Sequence, residues 1–386
     1  LNYLHVRIAK IIPFGFKTDC CMNISAIINF FETLAPRSLQ ESYDNSGLIT
    51  GTGQTACTGA LVTLDVTEDV VAEAVRVGCN LIVAHHPVIF SGLKKIDPGH
   101  YVGRAIISAV KNDVAIYAIH TNLDHVKNGV NGKIASMLGL KNLAVLKPMG
   151  GQLRKLVSFV PHEHLDTVRN ALFWAGAGKI GNYDEAGFYS EGKGSFRARD
   201  GANPYVGKPG LRHYEPETRL EVMYPVHLES RLVQALQEAH PYEEVAYDLV
   251  QLHNEDPGIG SGLIGELESA AGEIEFLKSL ALIFGLKMVR HTALLGRPIK
   301  KVAVCGGAGS FLISKALQSG AGIFITSDVK YHEFFEANGK MIIADIGHYE
   351  SEQFTINLLF DLLQEKFPNF AVLKSGVETN PVQYLI

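Results

Sequence analysis

The run Asn80-Leu81-Ile82-Val83-Ala84-His85-His86-Pro87-Val88-Ile89-Phe90 decides how this chain is read. Its leading residues suit a buried β-strand, and Pro87, which has no amide hydrogen to donate, ends regular pairing. Two imidazoles therefore stand at the carboxyl end of a buried strand, where open α/β sheets usually hold their ligands.

Working outward, residues 60–64 predict a further strand, Asp65-Val66-Thr67 a polar junction, and the residues up to about Val77 a helix closed by Gly78. After the histidines, a helix over 102–111 leads into a strand over 114–119, which ends in His120-Thr121-Asn122-Leu123-Asp124. This alternation is an α/β rhythm. Upstream, the apolar spacing of 24–34 predicts an amphipathic helix stopped by Pro36, and Tyr43-Asp44-Asn45-Ser46-Gly47-Leu48 reads as a polar turn.

The plan returns near the carboxyl terminus. Laying Gly78 on Gly320, an offset of 242, sets Val62 on Val304, Ala74 on Ala316, Leu81-Ile82-Val83 on Ile323-Phe324-Ile325 and His85-His86 on Ser327-Asp328. A third strand follows in each half, at 114–119 and 341–344, succeeded by a polar loop that holds Asp124 or His348. The expected fold is α/β, with two related α/β halves forming one core around a shared site. Between them, residues 152–254 carry their own repeat, since Pro161 and Ala171-Leu172 recur 64 residues later as Pro225 and Ala235-Leu236. Two βαβ units in tandem predict an inserted ferredoxin-like α+β domain. Residues 192–210 would be a loop or hairpin on it, and 256–262 a linker back to the core. The core is thus expected over 22–151 and 255–386. Residues 1–21 are read as an upstream or non-native extension before Met22, with a native arm packed on a neighbour as the alternative.

With 386 residues and a 47% hydrophobic fraction, the chain can build two or three domains. A net charge of −5 without a long basic run argues against gripping nucleic acid or an anionic membrane, and leaves a small-molecule substrate or a protein partner. Five cysteines without Cys-x-x-Cys spacing indicate a reducing compartment. No apolar run reaches the ~20 residues that a membrane helix needs. The expected location is the cytoplasm.

Four places offer nitrogen and oxygen ligands: His85-His86, His120 with Asp124, Asp328 with His332, and His348 with Glu352. His348 and Glu352 are four residues apart, so a helix puts both on one face. Any one pair reads as well as a structural or solvated contact, and the repeat is what makes them converge. His85, His86, Asp124, His348 and Glu352 together suit two divalent ions such as Zn, Fe, Mn or Co rather than Ca or Mg, because imidazole dominates. Two such ions ~3.5–4 Å apart activate a water and stabilise a leaving oxygen. His120, Asp328 and His332 are the candidates for orienting ligands or moving protons, with a structural role as the alternative for each. The amides of Gly306-Gly307-Ala308-Gly309 could hold an anionic substrate, or the glycines could serve close packing.

These motifs, in the order Asp44-Asn45-Ser46-Gly47-Leu48, Leu64-Asp65-Val66-Thr67, Ala84-His85-His86-Pro87, His120-Thr121-Asn122-Leu123-Asp124, Gly306-Gly307-Ala308-Gly309-Ser310, Thr326-Ser327-Asp328 with Tyr331-His332, and Gly347-His348-Tyr349-Glu350-Ser351-Glu352, resemble the NIF-three-like dinuclear metal proteins. That family is often labelled GTP cyclohydrolase 1 type 2 homologue. The resemblance covers roughly 22–386, and Ala239-His240-Pro241-Tyr242-Glu243-Glu244 resembles the PII/CutA-like insert of its longer members. It implies one ion on His86, Asp124 and Glu352, a second on His85, His348 and Glu352, and a toroidal homohexamer. Two functions follow as expectations. One is a metal-dependent hydrolase of a small phosphate-bearing or nucleotide-like substrate. The other is a non-enzymatic metal-binding adaptor or metal-trafficking protein. GTP cyclohydrolase activity is the weakest reading, because no motif specifically reads guanine.

Overall fold

Ile24, Ile27 and Phe31 recur at helical spacing on α1 (Ile24–Leu34), and the face they share is buried. The computed structural model describes residues 22–385, so the extension expected over 1–21 lies outside the described residues. After α1 come β1 (Gly47–Thr50), β2 (Ala60–Thr63), α2 (Glu68–Val77), β3 (Leu81–Ala84), α3 (Tyr101–Lys111) and β4 (Ala115–Ala118). Thr67 caps α2 by accepting the Val70 amide, and Gly78 at φ 78° closes it in a left-handed turn. The first half ends with α4 (Thr121–Asp124), α5 (Val130–Met137) and β5 (Lys141–Pro148).

Strands β2, β3 and β4 are parallel, and β1 runs antiparallel beside β4. Every residue of the three parallel strands is buried, which explains why they read as unbroken apolar runs. Val62, Val83 and Tyr117 face inward, while Leu61, Ile82 and Ile116 face α2 and α3.

The middle of the chain forms β6 (Leu153–Pro161), α6 (Leu165–Trp174), β7 (Gly187–Arg197), β8 (Arg212–Pro225), α7 (Glu229–Ala239) and β9 (Tyr247–Gln251). Its antiparallel sheet has the order β7-β8-β6-β9, the topology of a ferredoxin-like β-α-β-β-α-β unit. Leu156, Val160, Leu172, Leu220, Leu232 and Leu236 give it a separate apolar cluster under the two helices. The stretch 192–210 is part of a hairpin, with β7 and β8 joined by residues 198–211.

The chain returns through β10 (Gly260–Ala271), α8 (Glu273–Phe284), β11 (Arg290–His291), β12 (Ile299–Ala308), α9 (Ile313–Gln318), β13 (Ile323–Ser327) and β14 (Ile342–Asp345). It ends with α10 (His348–Glu352), α11 (Thr355–Lys366) and β15 (Val372–Lys374). The linker expected over 256–262 is shorter than that, because Gly260, Ser261 and Gly262 already belong to β10, antiparallel to β5 and β12. Small residues hid this strand. A Cβ at Gly260 would fall 2.2 Å from the Lys147 carbonyl oxygen, so close strand approach excludes the side chain that would have signalled it.

The second core sheet has the order β11-β14-β13-β12-β10-β5, with β12, β13 and β14 parallel. Shifting Ala60↔Leu81 and Val62↔Val83 by the same offset gives Val302↔Ile323 and Val304↔Ile325, so the internal repeat extends to strand register. One apolar cluster joins the inner faces of both core sheets to α1, α5, α8 and α11. β15 pairs with β2, which returns the end of the chain to the first sheet. No helix among the described residues is long and apolar enough to cross a membrane.

Phe31 is fully buried, and its ring stacks on Tyr117 at 5.9 Å. Phe31→Ala is expected to cost about 3–5 kcal/mol, read as a lowered urea midpoint of the core transition. A cost below ~1 kcal/mol would mean that this contact does not hold α1 on the sheet.

Candidate metal centre

The backbone of β3 stays in register one step beyond the strand, with the His85 amide donating to Thr63 and the His86 amide to Leu64. Adjacent side chains of an extended chain point to opposite sides. His85 therefore turns toward β4, where its Nδ1 donates to the Ile119 carbonyl at 2.8 Å. A carbonyl can only accept, so this bond fixes the proton on Nδ1 and leaves Nε2 as a lone-pair donor. His86 turns the other way, and its Nδ1 meets Asp65 at 2.7 Å. Asp65 is itself held by the Thr379 hydroxyl at 2.6 Å.

The same device recurs twice. His120 Nδ1 meets Asp44 at 2.8 Å, and His348 Nδ1 meets Asp328 at 2.7 Å. An oxygen partner behind each ring is the arrangement that orients imidazole ligands toward a metal. Ligand atoms of His85, His86 and His120 lie within 4.8 Å of one another, as do those of His86, His348 and Glu352, and each group could hold a metal ion.

Glu352 lies one helical turn after His348, with its side chain 4% exposed. Its Oε2 is 3.0 Å from His86 Nε2 and 3.1 Å from His348 Nε2, while its Oε1 lies 3.9 Å from His85 Nε2. Asp124 Oδ1 is 3.7 Å from His85 Nε2. The donors thus divide into His86, His348 and one Glu352 oxygen, against His85, Asp124 and the other. The resemblance implied the opposite placement of the two adjacent histidines. The difference follows from strand geometry, because His85 leans on the end of β4, which leads into the helix carrying Asp124, and His86 faces α10.

His85 Nε2 and Asp124 Oδ1 are both buried without a hydrogen-bond partner. Buried polar atoms are seldom left this way, and a cation between them would satisfy both. Burial, then the Glu352 charge, push Asp124 up to about 7. Burial would also raise Glu352, but hydrogen bonds led by His348 hold it well below the usual carboxylate range. Burial alone would lower His86, yet its bonds to Asp65 and Glu352 lift it to about 10; His348, burdened the same way, reaches about 9 through Glu352 and Asp328. The cluster has an excess of negative potential that protons fill and that a divalent cation would fill better. The donors are imidazole and carboxylate, which suits borderline divalent ions. Cys305 is buried nearby, and burial together with Asp124 and Glu352 pushes its thiol up, so it stays protonated.

Gly306 and Gly307 do not form an anion cradle. The Gly306 amide donates to Asn131 and the Gly307 amide to Ser351, each at 2.9 Å. Their role is close packing. At Gly307, with φ 64°, a Cβ would fall 2.3 Å from Glu352 Oε1.

Among the other expected residues, His120 lines the cluster and Asp328 backs His348, whereas His332 is exposed on the turn after β13, its ring against Tyr331 and Phe335. Among the described residues, no hydrogen bond joins His332 to the cluster. Three supporting residues escaped sequence reasoning: Asp44, Asp65 and Thr379. Asp44 sits in the segment read as a polar turn, but its carboxylate is buried and accepts from the Ser46 hydroxyl and the Thr121 amide as well as holding His120. Burial opposes its ionisation, and these bonds, led by His120, still hold it below the usual range. Its only sequence signal was position, a carboxylate before a strand that borders β4.

Residues 22–381 match the family model described as Duf34/NIF3 (NGG1p interacting factor 3). A Halalkalibacterium halodurans protein named GTP cyclohydrolase 1 type 2 homolog is 40% identical over 368 residues, covering 94% of this chain and 99% of the relative. A Bacillus subtilis protein of the same name is 37% identical over 372 residues, with 94% and 99% covered. Among solved structures, a Bacillus cereus protein related to NIF3 superposes with a TM-score of 0.82 at 37% identity, covering 95% of this chain and all of that one. A Staphylococcus aureus protein gives 0.74 at 28% identity, with 94% and 99% covered.

Removing Asp65 takes away one of the two partners that keep His86 charged. In chelator-treated Asp65→Ala, the His86 imidazole is expected to titrate well below about 10, followed by NMR. An unchanged titration would show that Asp65 does not hold the ring.

Proposed function

The chain belongs to the Duf34/NIF3 family, and from that footing we propose that it is a dinuclear metal-dependent hydrolase of a small phosphate-bearing or nucleotide-like substrate. The observation that carries this reading is the pair of orphaned donors, His85 Nε2 and Asp124 Oδ1, across Glu352 from the His86 and His348 nitrogens. In this reading, His86 and His348 would hold one ion and His85 and Asp124 the second, with Glu352 available to both. Two ions of Zn, Fe, Mn or Co would supply Lewis-acid polarisation and a nucleophile from water at neutral pH.

The chain's own residues do the rest. Asp65, Asp328 and the Ile119 carbonyl fix the rings, so that each Nε2, once it gives up any proton it shares with Glu352, would present a lone pair to the centre. His120, held by Asp44, is a proton carrier beside the two adjacent histidines. A cavity of about 440 Å³ opens on His86 and His348, within the usual size of small-molecule sites. Tyr349 and Tyr384 offer it flat surfaces for a ring, and Arg290, paired with Asp345 at 2.9 Å, is the cation on its wall.

Residues 22–151 with 255–386 would form this metal-binding core, and 152–254 an inserted domain. Among the described residues, Cys57, Cys79 and Cys305 form no disulfide, which fits the reducing compartment in this reading. A second reading, an adaptor or metal-trafficking protein, is favoured by large exposed aromatics on the ferredoxin-like unit, with Trp174 80% and Tyr183 79% exposed. The same surface would serve contacts in a toroidal homohexamer. Deleting 152–254 separates the two readings, since an unchanged hydrolytic rate with lost partner binding favours the adaptor.

His348→Ala is expected to lower the metal content of purified protein from two ions to one per chain, measured by elemental analysis with circular dichroism retained. Full occupancy would sink the assignment. Gly307→Ala, which drives a methyl into Glu352, is expected to lose both ions, since both depend on that carboxylate. Turnover should be found across a panel of nucleotides and phosphoesters and should vanish in Glu352→Gln. Two bound ions without turnover on any of them would leave the adaptor reading.

A further inference from the structure

Far from the metal centre in sequence, the ferredoxin-like unit has a face that its helices do not cover. Helices α6 and α7 pack on Leu156, Val160, Leu220 and Val222. Alternation sends Phe159, Glu217 and Arg219 to the opposite face, where cross-strand pairing brings Ser190, Gly192, Gly194 and Phe196 of β7 alongside. A cavity of about 670 Å³ lies on that face. Its cover is the 198–211 connection, tied down where the Asn203 amide donates to Glu243 and the Tyr205 hydroxyl to Glu163, at 2.8 and 2.9 Å.

We infer that this cavity binds a small organic monocation, an amine or amidinium compound, with its charged head on Glu217. Glu217 is only 8% exposed, and one of its oxygens accepts the Tyr242 hydroxyl at 2.8 Å. Among the described residues, no Lys, Arg or His pairs with it. Arg219 is turned to Glu221 at 2.9 Å, and Lys193 lies over the Tyr214 ring. A buried carboxylate without a counter-charge is costly, so a cationic ligand would relieve the site as it binds.

The walls suit such a ligand. Phe196, Tyr205 and Tyr242 line the cavity together, with ring centroids 6.1 Å apart for Phe196 and Tyr242 and 6.2 Å for Tyr205 and Tyr242. Aromatic faces attract cations and stack on flat groups. Room for the head comes from missing side chains, because a Cβ at Gly194 would lie 2.0 Å from Glu217 Oε2. An anion would meet Glu217, Glu243 and Glu244. Arg219 on the same face opposes a second positive charge, which is why the inference is a monocation.

Three probes of one shape and different charge test it on the full chain: benzamidine, neutral benzamide and anionic benzoate, by calorimetry or ligand-observed NMR. Benzamidine is expected to bind at least about tenfold more tightly than the other two, ~1.4 kcal/mol. Glu217→Gln keeps an oxygen for Tyr242 and should abolish that preference. Gly192→Val is the second variant, because a Cβ there meets nothing closer than the Glu217 carbonyl oxygen at 3.8 Å; it fills the cavity without straining the strand and should abolish binding. Metal content should stay unchanged in both. Failure of benzamidine to bind, binding equal to that of benzoate, or binding that survives Gly192→Val would each overturn the inference.

Discussion

Glu352 is a carboxylate taken out of water and set between imidazoles of both halves of the chain, and the candidate site depends on that placement. An ionised carboxylate is buried only when charge-bearing partners surround it. Here His86 and His348 lie at hydrogen-bond distance from one oxygen, and His85 stands off the other. The partners are kept in place by their own supports, Asp65, Asp328 and the Ile119 carbonyl, so the cluster is rigid before any ion arrives.

That placement needs two sheets held in a fixed relation. The shared apolar cluster, with α1, α5, α8 and α11 between the inner faces, locks the carboxyl ends of β3 and β4 against that of β14 and the helix that follows it. Close-packed interiors deform little, so strand ends inherit their spacing from the core. Backbone tolerance is also used up there. Gly306 and Gly307 spend their amides on Asn131 and Ser351 and leave no volume for a side chain beside Glu352. The segment whose amides could have held an anion is instead the packing surface against which the Glu352 carboxylate rests.

The ferredoxin-like unit is built to a different principle. Its core lies under the helices, and the outer face of its sheet combines a buried carboxylate with exposed aromatics and side-chain-free strand positions. The proposed metal centre and the proposed monocation site would then belong to separate sheets of one chain.

Much of this was readable in order along the chain. The helix over Ile24–Leu34, the strands before His85 and Asp328, the offset repeat and the placing of polar side chains at strand ends are local or periodic features, and periodicity survives in one dimension. Strand β10 was not readable, because its glycines and serine carry no apolar alternation and its pairing partners are distant in sequence. Neither were Asp44, Asp65 and Thr379: Asp44 and Asp65 act through rings 76 and 21 residues away, and Thr379 acts through Asp65, 314 residues away. The sequence by itself determined which residues could ligate and that two halves would present them. Only the tertiary structure decided which histidine joins which carboxylate, because a strand turns adjacent side chains to opposite sides and the packing of neighbouring elements determines what each side meets.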